Sequence, residues 1–179
     1  YAIGGLGVGE PKEMMYSLVN HTASLLPRNH PRYLMGIGSP EDLVECVARG
    51  VDMFDCVLPT RVARHGSVFT QHSRVNITAA RFRGANLPID EKCDCYTCNN
   101  FTSGYLHHLF RAEELLGLRL ATIHNLRFII RLMDDMRDAI LKGEFKTFAK
   151  EFIRGYEPAN ETSRMNQRKK WLASTTDSN

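Results

Sequence analysis

Tyr33-Leu34-Met35-Gly36-Ile37-Gly38-Ser39-Pro40-Glu41-Asp42 changes structural period within ten residues. Tyr33 to Ile37 is a short apolar run bounded by glycine, the pattern of a buried strand. Ser39 then stands where a helix is capped, with Pro40 at its first position, Asp42 in its first turn and Gly50 just past its end. The same alternation extends to both sides. Upstream, a short apolar stretch ends at Gly4-Gly5, and Pro11 opens a helix whose apolar positions Met14, Met15, Leu18, Val19, Leu25 and Leu26 recur at spacings of three and four, before Pro27 to Pro31 break it. Downstream, Val51 to Leu58 reads as a third strand. Strand, helix, strand, helix, strand with short links means parallel right-handed βαβ units. Three strands cannot close a barrel, but they suit the last strands of an eight-stranded one. The fold class is therefore α/β, and these units are compatible with the C-terminal portion of a (β/α)8 barrel. Gly4-Gly5, Met35-Gly36 and Asp55 then share the rim at the carboxyl ends of the strands, where function gathers in such folds.

Residues 1–58 form these last βα units. Residues 59–104 are expected to be loop-rich and basic, with Arg61, Arg64, Arg74, Arg81 and Arg83 ahead of a cysteine cluster. Residues 105–156 read as C-terminal helices: Tyr105 to Leu116 interrupted by Gly117, Ile123 to Leu141, and about Glu144 to Ile153. Residues 157–179, with Arg164, Arg168, Lys169 and Lys170, read as a flexible polar tail.

Composition narrows the class. With 179 residues, 43% of them hydrophobic, the chain can bury one sizeable core. A net charge of +3 does not by itself indicate a nucleic-acid partner, so any basic surface is local. No apolar run approaches the roughly 18–20 residues of a membrane span, and the opening residues do not read as a signal peptide. The start at Tyr1, running straight into Gly4-Gly5, resembles the middle of a protein, and the chain is expected to lack an N-terminal part.

Cys93-Asp94-Cys95-Tyr96-Thr97-Cys98 places three thiols within six residues. Thiolates so close repel one another unless a cation neutralises them, which points to a soft-metal site, Zn²⁺ in the first place. Three sulfurs and one imidazole close a tetrahedral shell, so the metal would be structural. For the fourth ligand spacing leaves His124, 26 positions on, beside the nearer His107 and His108. Cys46 and Cys56, standing alone, read as small buried hydrophobes, and five cysteines in this pattern suit a reducing cytosol better than a disulfide framework.

Asp55 ends the apolar strand Val51-Asp52-Met53-Phe54-Asp55-Cys56. A carboxylate there reads either as a functional group or as a partner of a helix end, Arg61 or Arg64; Asp52 reads as structural. Gly4-Gly5 and Gly36-Ile37-Gly38 would admit a flat ligand close to the backbone. Gly5-Leu6-Gly7-Val8-Gly9 is no dinucleotide fingerprint, because Glu10 and Pro11 follow where a phosphate-binding helix would begin.

Four stretches together make the chain resemble the C-terminal half of tRNA-guanine transglycosylases of the bacterial type over about residues 1–153. They are Gly4 to Glu13, Pro31 to Gly38, Gly50 to Arg61, and the Cys93–Cys98 cluster with Thr122-Ile123-His124-Asn125-Leu126. The resemblance implies a TIM barrel with an inserted zinc-binding subdomain and one structural Zn²⁺ on Cys93, Cys95, Cys98 and His124. It further implies exchange of guanine at the anticodon wobble position for a 7-deazaguanine base, in queuosine biosynthesis. Asp55 would be the nucleophile, attacking the ribose C1′ to give a covalent aspartyl–tRNA intermediate in the manner of retaining glycoside chemistry, on a flipped-out nucleotide. Gly4, Gly5, Leu6 and Met35 would form the base pocket. The RNA would run along Gly36, Ile37, Gly38, Ser39, Pro40, Glu41 and Asp42, and over Thr60, Arg61, Val62, Ala63 and Arg64. The implied partners are a tRNA with a GUN-type anticodon, the base preQ1 in preference to queuine on the strength of Val8, and a second copy in a homodimer; the implied location is the cytoplasm. Rival readings are a non-catalytic partner subunit, a zinc-stabilised RNA-binding module and an archaeal-type enzyme for another tRNA position. The family's second catalytic carboxylate has no counterpart here, so the isolated 179 residues are expected to support no base exchange in an assay with labelled guanine.

Overall fold

In the computed structural model, which describes residues 1–158, three short strands set the frame. They are β1 (Ala2–Ile3), β2 (Tyr33–Met35) and β3 (Met53–Asp55), parallel and in the order β1-β2-β3. The helices α1 (Lys12–Leu25) and α2 (Pro40–Val47) make the crossovers. The register pairs Tyr33 with Met53, Leu34 with Phe54 and Met35 with Asp55. Side chains alternate across a strand, so this register sorts them into two sets. Ile3, Leu34 and Phe54 turn toward the helices and join Met15, Val19, Ile37, Cys46 and Val51 in one core. Tyr33, Met35, Met53 and Asp55 take the other face, where Met53 is 53% exposed.

At the amino ends of the strands, Arg32 fastens the two crossover helices. Its guanidinium donates to the carbonyls of Leu26 (3.0 Å) and Gly50 (3.2 Å), just past the ends of α1 and α2. Its own N–H donates to Asp52 Oδ2 at 2.8 Å, which gives Asp52 a structural place. At the opposite ends, Lys12 reaches from α1 to Glu41 and Asp42 on α2, both at 2.8 Å. Tyr16 and Ser39 each donate to Asp42 at 2.6 Å. Burial opposes the charge on Lys12, but the Asp42 and Glu41 carboxylates outweigh it and hold its pKa above the ordinary lysine value.

Past β3 the chain is more ordered than its composition suggests. α3 (Leu58–Ala63) leads into an antiparallel hairpin of β4 (Ser67–Phe69) and β5 (Arg74–Asn76), and then a 3₁₀ turn at Ala80–Phe82. α4 (Tyr96–Asn100), α5 (Ser103–Arg111), the long α6 (Leu115–Leu141) and α7 (Phe145–Gly155) follow. A second core of Leu43, Val44, Phe69, Phe128, Leu132, Met136 and Tyr156 joins α2, the hairpin, α6 and the chain just past α7.

Several local expectations are corrected. On α1 the buried stripe is Met15, Val19 and Ala23, while Met14 and Leu25 are 55% and 71% exposed, because the apolar arc is wider than the surface it packs on. The third strand stops at Asp55, since Pro59 and the α3 turn begin directly beyond it. Ser39 occupies the N-cap of α2, but its hydroxyl donates to Asp42 and accepts no backbone N–H. Residues 59–90 are not simply loop: the Ser67-Val68-Phe69 and Arg74-Val75-Asn76 runs were legible as a hairpin. Gly117 does not interrupt a helix. The break falls at Ala112–Glu114, where Glu113 takes φ 58°, and Gly117 lies inside α6 where a Cβ would sit 3.1 Å from Leu109 Cβ. Glu157 is pinned by its N–H to the His72 carbonyl at 2.6 Å. The basic positions Arg164, Arg168, Lys169 and Lys170 lie outside the described residues.

Asn125, fully buried on α6, joins three elements. Its Oδ1 accepts from Phe69 N–H, and its Nδ2 donates to the carbonyls of Pro59 and Ser67, all at 3.0 Å. Removing such a group strands three backbone partners. Asn125→Leu is expected to lower unfolding free energy by about 3 kcal/mol, measured by urea denaturation.

Candidate active-site rim and metal centre

The rim forms where β2 and β3 end. Tyr33 Oη donates to Asp55 Oδ1 at 2.6 Å, and Gly36 N–H donates to the same oxygen at 3.2 Å. Gly36 adopts φ 78°, which a side chain would strain, and so turns its N–H back on the strand end. Both donors hold Oδ1, leaving Oδ2 without a partner among the described residues. The Tyr33 hydroxyl foremost, then the Gly36 N–H, hold the Asp55 pKa below the ordinary carboxylate value; Tyr33 is pushed above its own. Asp55 is exposed rather than buried, and it pairs with neither Arg61 nor Arg64. The result is a solvent-facing carboxylate, ionised at neutral pH, with one oxygen anchored and one free.

Met35 stands beside Asp55 in register, and its Cε lies 3.2 Å from where a Cβ on Gly4 would be, so Gly4 and Met35 close one side of the rim. Gly5 is exposed with φ 76°. Leu6 packs on the core between sheet and helices. Glu10 folds back into the glycine loop and accepts the N–H groups of Gly7, Val8 (3.1 Å) and Gly9 (3.0 Å). Desolvation opposes its charge, but these donors prevail and lower its pKa. On the other side, Gly38 meets Cys56 so closely that a Cβ would come within 2.4 Å of Cys56 Cβ. Cys46 is fully buried and its thiol is pushed up to about 12, by burial first and then by Asp42. Cys56 is half-buried, donating to the Gly36 carbonyl and accepting from Leu58 N–H, both at 3.3 Å.

The two expected RNA-contacting runs divide by exposure. Gly36 is open, whereas Ile37, Gly38, Ser39, Pro40, Glu41 and Asp42 are buried, and the start of α2 carries its own carboxylates neutralised by Lys12. On α3, Arg61 and Arg64 project outward and Thr60 Oγ1 donates to the Val57 carbonyl, while Val62 turns toward the core and Ala63 is buried. An apolar cleft of about 280 Å³, lined by Ile37, Phe54, Cys56, Pro59, Ile130 and Met133, opens beside Asp55 against α6.

The metal centre lies where the cysteine loop crosses α6. The sulfurs of Cys93, Cys95 and Cys98 are 3.6, 3.6 and 3.3 Å from His124 Nδ1, and all four atoms lie within 4.8 Å of one another. Zn–S bonds of about 2.3 Å and a Zn–N bond of about 2.0 Å at tetrahedral angles require S···N edges near 3.5 Å. The residues fit zinc. His124 sits in mid-helix, fully buried, not at a helix start as expected. Its Nε2 is 2.7 Å from the Phe69 carbonyl, which only accepts, so Nε2 carries the proton and Nδ1 faces the sulfurs with its lone pair. Four protein ligands leave no position for water, which suits a structural role. His107 is excluded as a ligand, since its Nδ1 bonds the Ile77 carbonyl at 2.9 Å.

Sequence reasoning missed Tyr33 and Phe69. Tyr33 was legible, lying two residues before Met35 and so on the same strand face as Asp55; Phe69 acts through its backbone, for which no residue type is a signal.

A parallel α/β unit presenting a rim carboxylate, fused to a closed Cys₃His centre, defines the class. A sequence model of queuine tRNA-ribosyltransferase matches residues 1–158. The chain is 59% identical over 155 residues to a queuine tRNA-ribosyltransferase of Herpetosiphon aurantiacus, covering 87% of this chain and 40% of that one. It is 53% identical over 173 residues to one of Dehalococcoides mccartyi, covering 97% and 44%, and 57% over 153 residues to one of Symbiobacterium thermophilum, covering 86% and 38%. The chain belongs to the queuine tRNA-ribosyltransferase family, whose fold is of the TIM-barrel type. It spans about two fifths of the length of these relatives.

Replacing Tyr33 by Phe removes the stronger donor on Asp55. The Asp55 titration followed by carboxyl NMR is expected to move upward toward the ordinary aspartate value. A folded pKa held below the unfolded one contributes stability above the unfolded pKa that is lost as pH falls through the folded one. The variant therefore loses this contribution at a higher pH than the parent.

Proposed function

We propose that this chain supplies the nucleophile, the zinc centre and part of the RNA surface of a tRNA-guanine transglycosylase. The observation that carries the reading is Asp55 on the rim, with Oδ1 held by Tyr33 and Gly36 and Oδ2 without a partner among the described residues. The free oxygen attacks C1′ of the wobble guanosine as the bond to guanine breaks; guanine leaves with the bonding pair and takes up a proton from water, and an aspartyl–ribosyl ester forms through an oxocarbenium-like transition state. The incoming 7-deazaguanine then attacks C1′ through its ring nitrogen, whose proton passes to water, and the Asp55 carboxylate leaves with the electron pair of the ester bond. A carboxylate of lowered basicity is ionised when attack begins and departs readily when it ends. Gly4, Gly5 and Met35 border the base, and Leu6 supports the glycine loop from beneath.

Exposure supports Gly36, Arg61 and Arg64, with the half-buried Thr60 beside them, as the groups meeting the RNA, and the arginines project outward to hydrogen-bond base edges or phosphate. The buried members of the two runs hold these in place. A tRNA with a GUN-type anticodon is the substrate, with preQ1 as the incoming base. The half-exposed aromatic chain Tyr96–Phe101–Tyr105, with centroids 5.8 and 5.5 Å apart, suits the contact of a homodimer. The setting is the cytoplasm; among the described residues no helix is long and apolar enough to cross a membrane.

The test supplies this chain with the N-terminal region of the Herpetosiphon aurantiacus relative and measures entry of labelled guanine into tRNA carrying wobble guanine or adenine. Label is expected only in the guanine tRNA, and a covalent protein–tRNA band on denaturing gels. Asp55→Asn is expected to abolish both while RNA binding persists within about twofold. Exchange at a normal rate in Asp55→Asn would sink the reading, and a protein that binds tRNA without exchange would instead be a binding subunit.

A further inference from the structure

The cysteine loop lies along α6 in a fixed antiparallel register. From Lys92 to Thr97 the loop advances while its partners on the helix recede. Arg131 Nη1 donates to the Lys92 carbonyl at 2.6 Å. Arg127 grips Asp94 with two parallel bonds, Nε to Oδ1 at 2.8 Å and Nη2 to Oδ2 at 2.7 Å. His124 meets the three sulfurs, and Thr97 Oγ1 donates to the Leu120 carbonyl at 2.7 Å. Positions 120, 124, 127 and 131 recur at spacings of four, three and four, one stripe of a helix. Three of the four attachments use no metal ligand, and they flank His124 on both sides.

We propose that Arg127 and Arg131 are positioning residues for the metal centre: they set the loop in the one register in which the four ligands converge. The inference rests on the reading of Cys93, Cys95, Cys98 and His124 as a zinc site. Asp94 lies between two of the ligands, so the position of its carboxylate fixes Cys93 and Cys95 together. A slip of one helical turn would pair Asp94 with Arg131 instead and carry the sulfurs about 6 Å from His124. Arg127 and Asp94 form a bidentate, charge-assisted contact, the geometry in which an arginine discriminates best. Asp134, with Oδ2 3.8 Å from Arg127 Nη1, lies on the far side of the guanidinium from the loop and steadies it. Because the pair is solvent-exposed, its contribution is modest and screened by salt.

The experiment uses the full 179-residue chain loaded with zinc and follows release to a chromogenic chelator at low and high salt. One zinc per chain is expected. Arg127→Gln and Asp94→Asn are each expected to release it about 3- to 5-fold faster at low salt, the scale of one partly exposed ion pair. The double variant should be no faster than either single one, since both remove the same contact. Raising salt should accelerate release from the parent and leave the Arg127→Gln rate unchanged. Arg131→Lys, which keeps a donor, should release more slowly than Arg131→Ala. Stability of the zinc-loaded protein to urea should change little. Equal release rates across parent and variants, or equal salt dependence, overturn the positioning role while leaving the zinc site intact. Absence of zinc from the parent overturns the site itself, and neither result bears on Asp55.

Discussion

The backbone of Phe69 is held on both sides of its Cα by adjacent residues of one helix. Its N–H goes to Asn125 and its carbonyl to His124. Through Asn125 the same helix also holds Pro59, which stands four residues beyond Asp55 at the start of α3. Through His124 it holds the cysteine loop. The parallel sheet with its rim carboxylate and the Cys₃His group are therefore parts of one hydrogen-bonded frame. Buried backbone groups left without these partners would cost more than the bonds themselves contribute, so α6 can occupy only this rotation about its axis.

The frame assigns different work to its ends. At the amino ends of the strands, Arg32 ties two helix termini. At the carboxyl ends, the Lys12–Glu41–Asp42 cluster is buried and closed on itself, and only the outermost groups remain open. Paired charges of this kind add little net stability over apolar packing, but losing one member is costly, which makes them good determinants of a single geometry. The rim thus rests on contacts that do not take part in its chemistry.

Much of this was legible in the sequence. The βαβαβ order, the helix starts at Pro11 and Pro40, the rim position of Asp55 and the cysteine cluster all follow from local rules of spacing and capping. What escaped reading depends on partners distant in the chain. The width of the apolar arc on α1 did not reveal which edge would be covered. Gly117 looked like a helix breaker because its close neighbour, Leu109, belongs to another helix. Ser39 has the residue type of a cap, yet Asp42 offers its hydroxyl a charged acceptor. His124 could not be separated from His107 by spacing, because the choice rests on the Phe69 and Ile77 carbonyls that fix each ring. The burial of Ile37 to Asp42 and of Ala63 was hidden for the same reason, since it is set by elements packed on them from elsewhere in the chain.

The contact of Gly38 with Cys56 has a consequence for how this rim can vary. Any residue at position 56 other than glycine has a Cβ, and that atom alone excludes a side chain at position 38. Position 38 is closed to drift for as long as its neighbour is anything but glycine. Variation around Asp55 must then fall on Met35, Val57 and Val8, whose side chains are exposed. Libraries that vary this rim would be best confined to these positions.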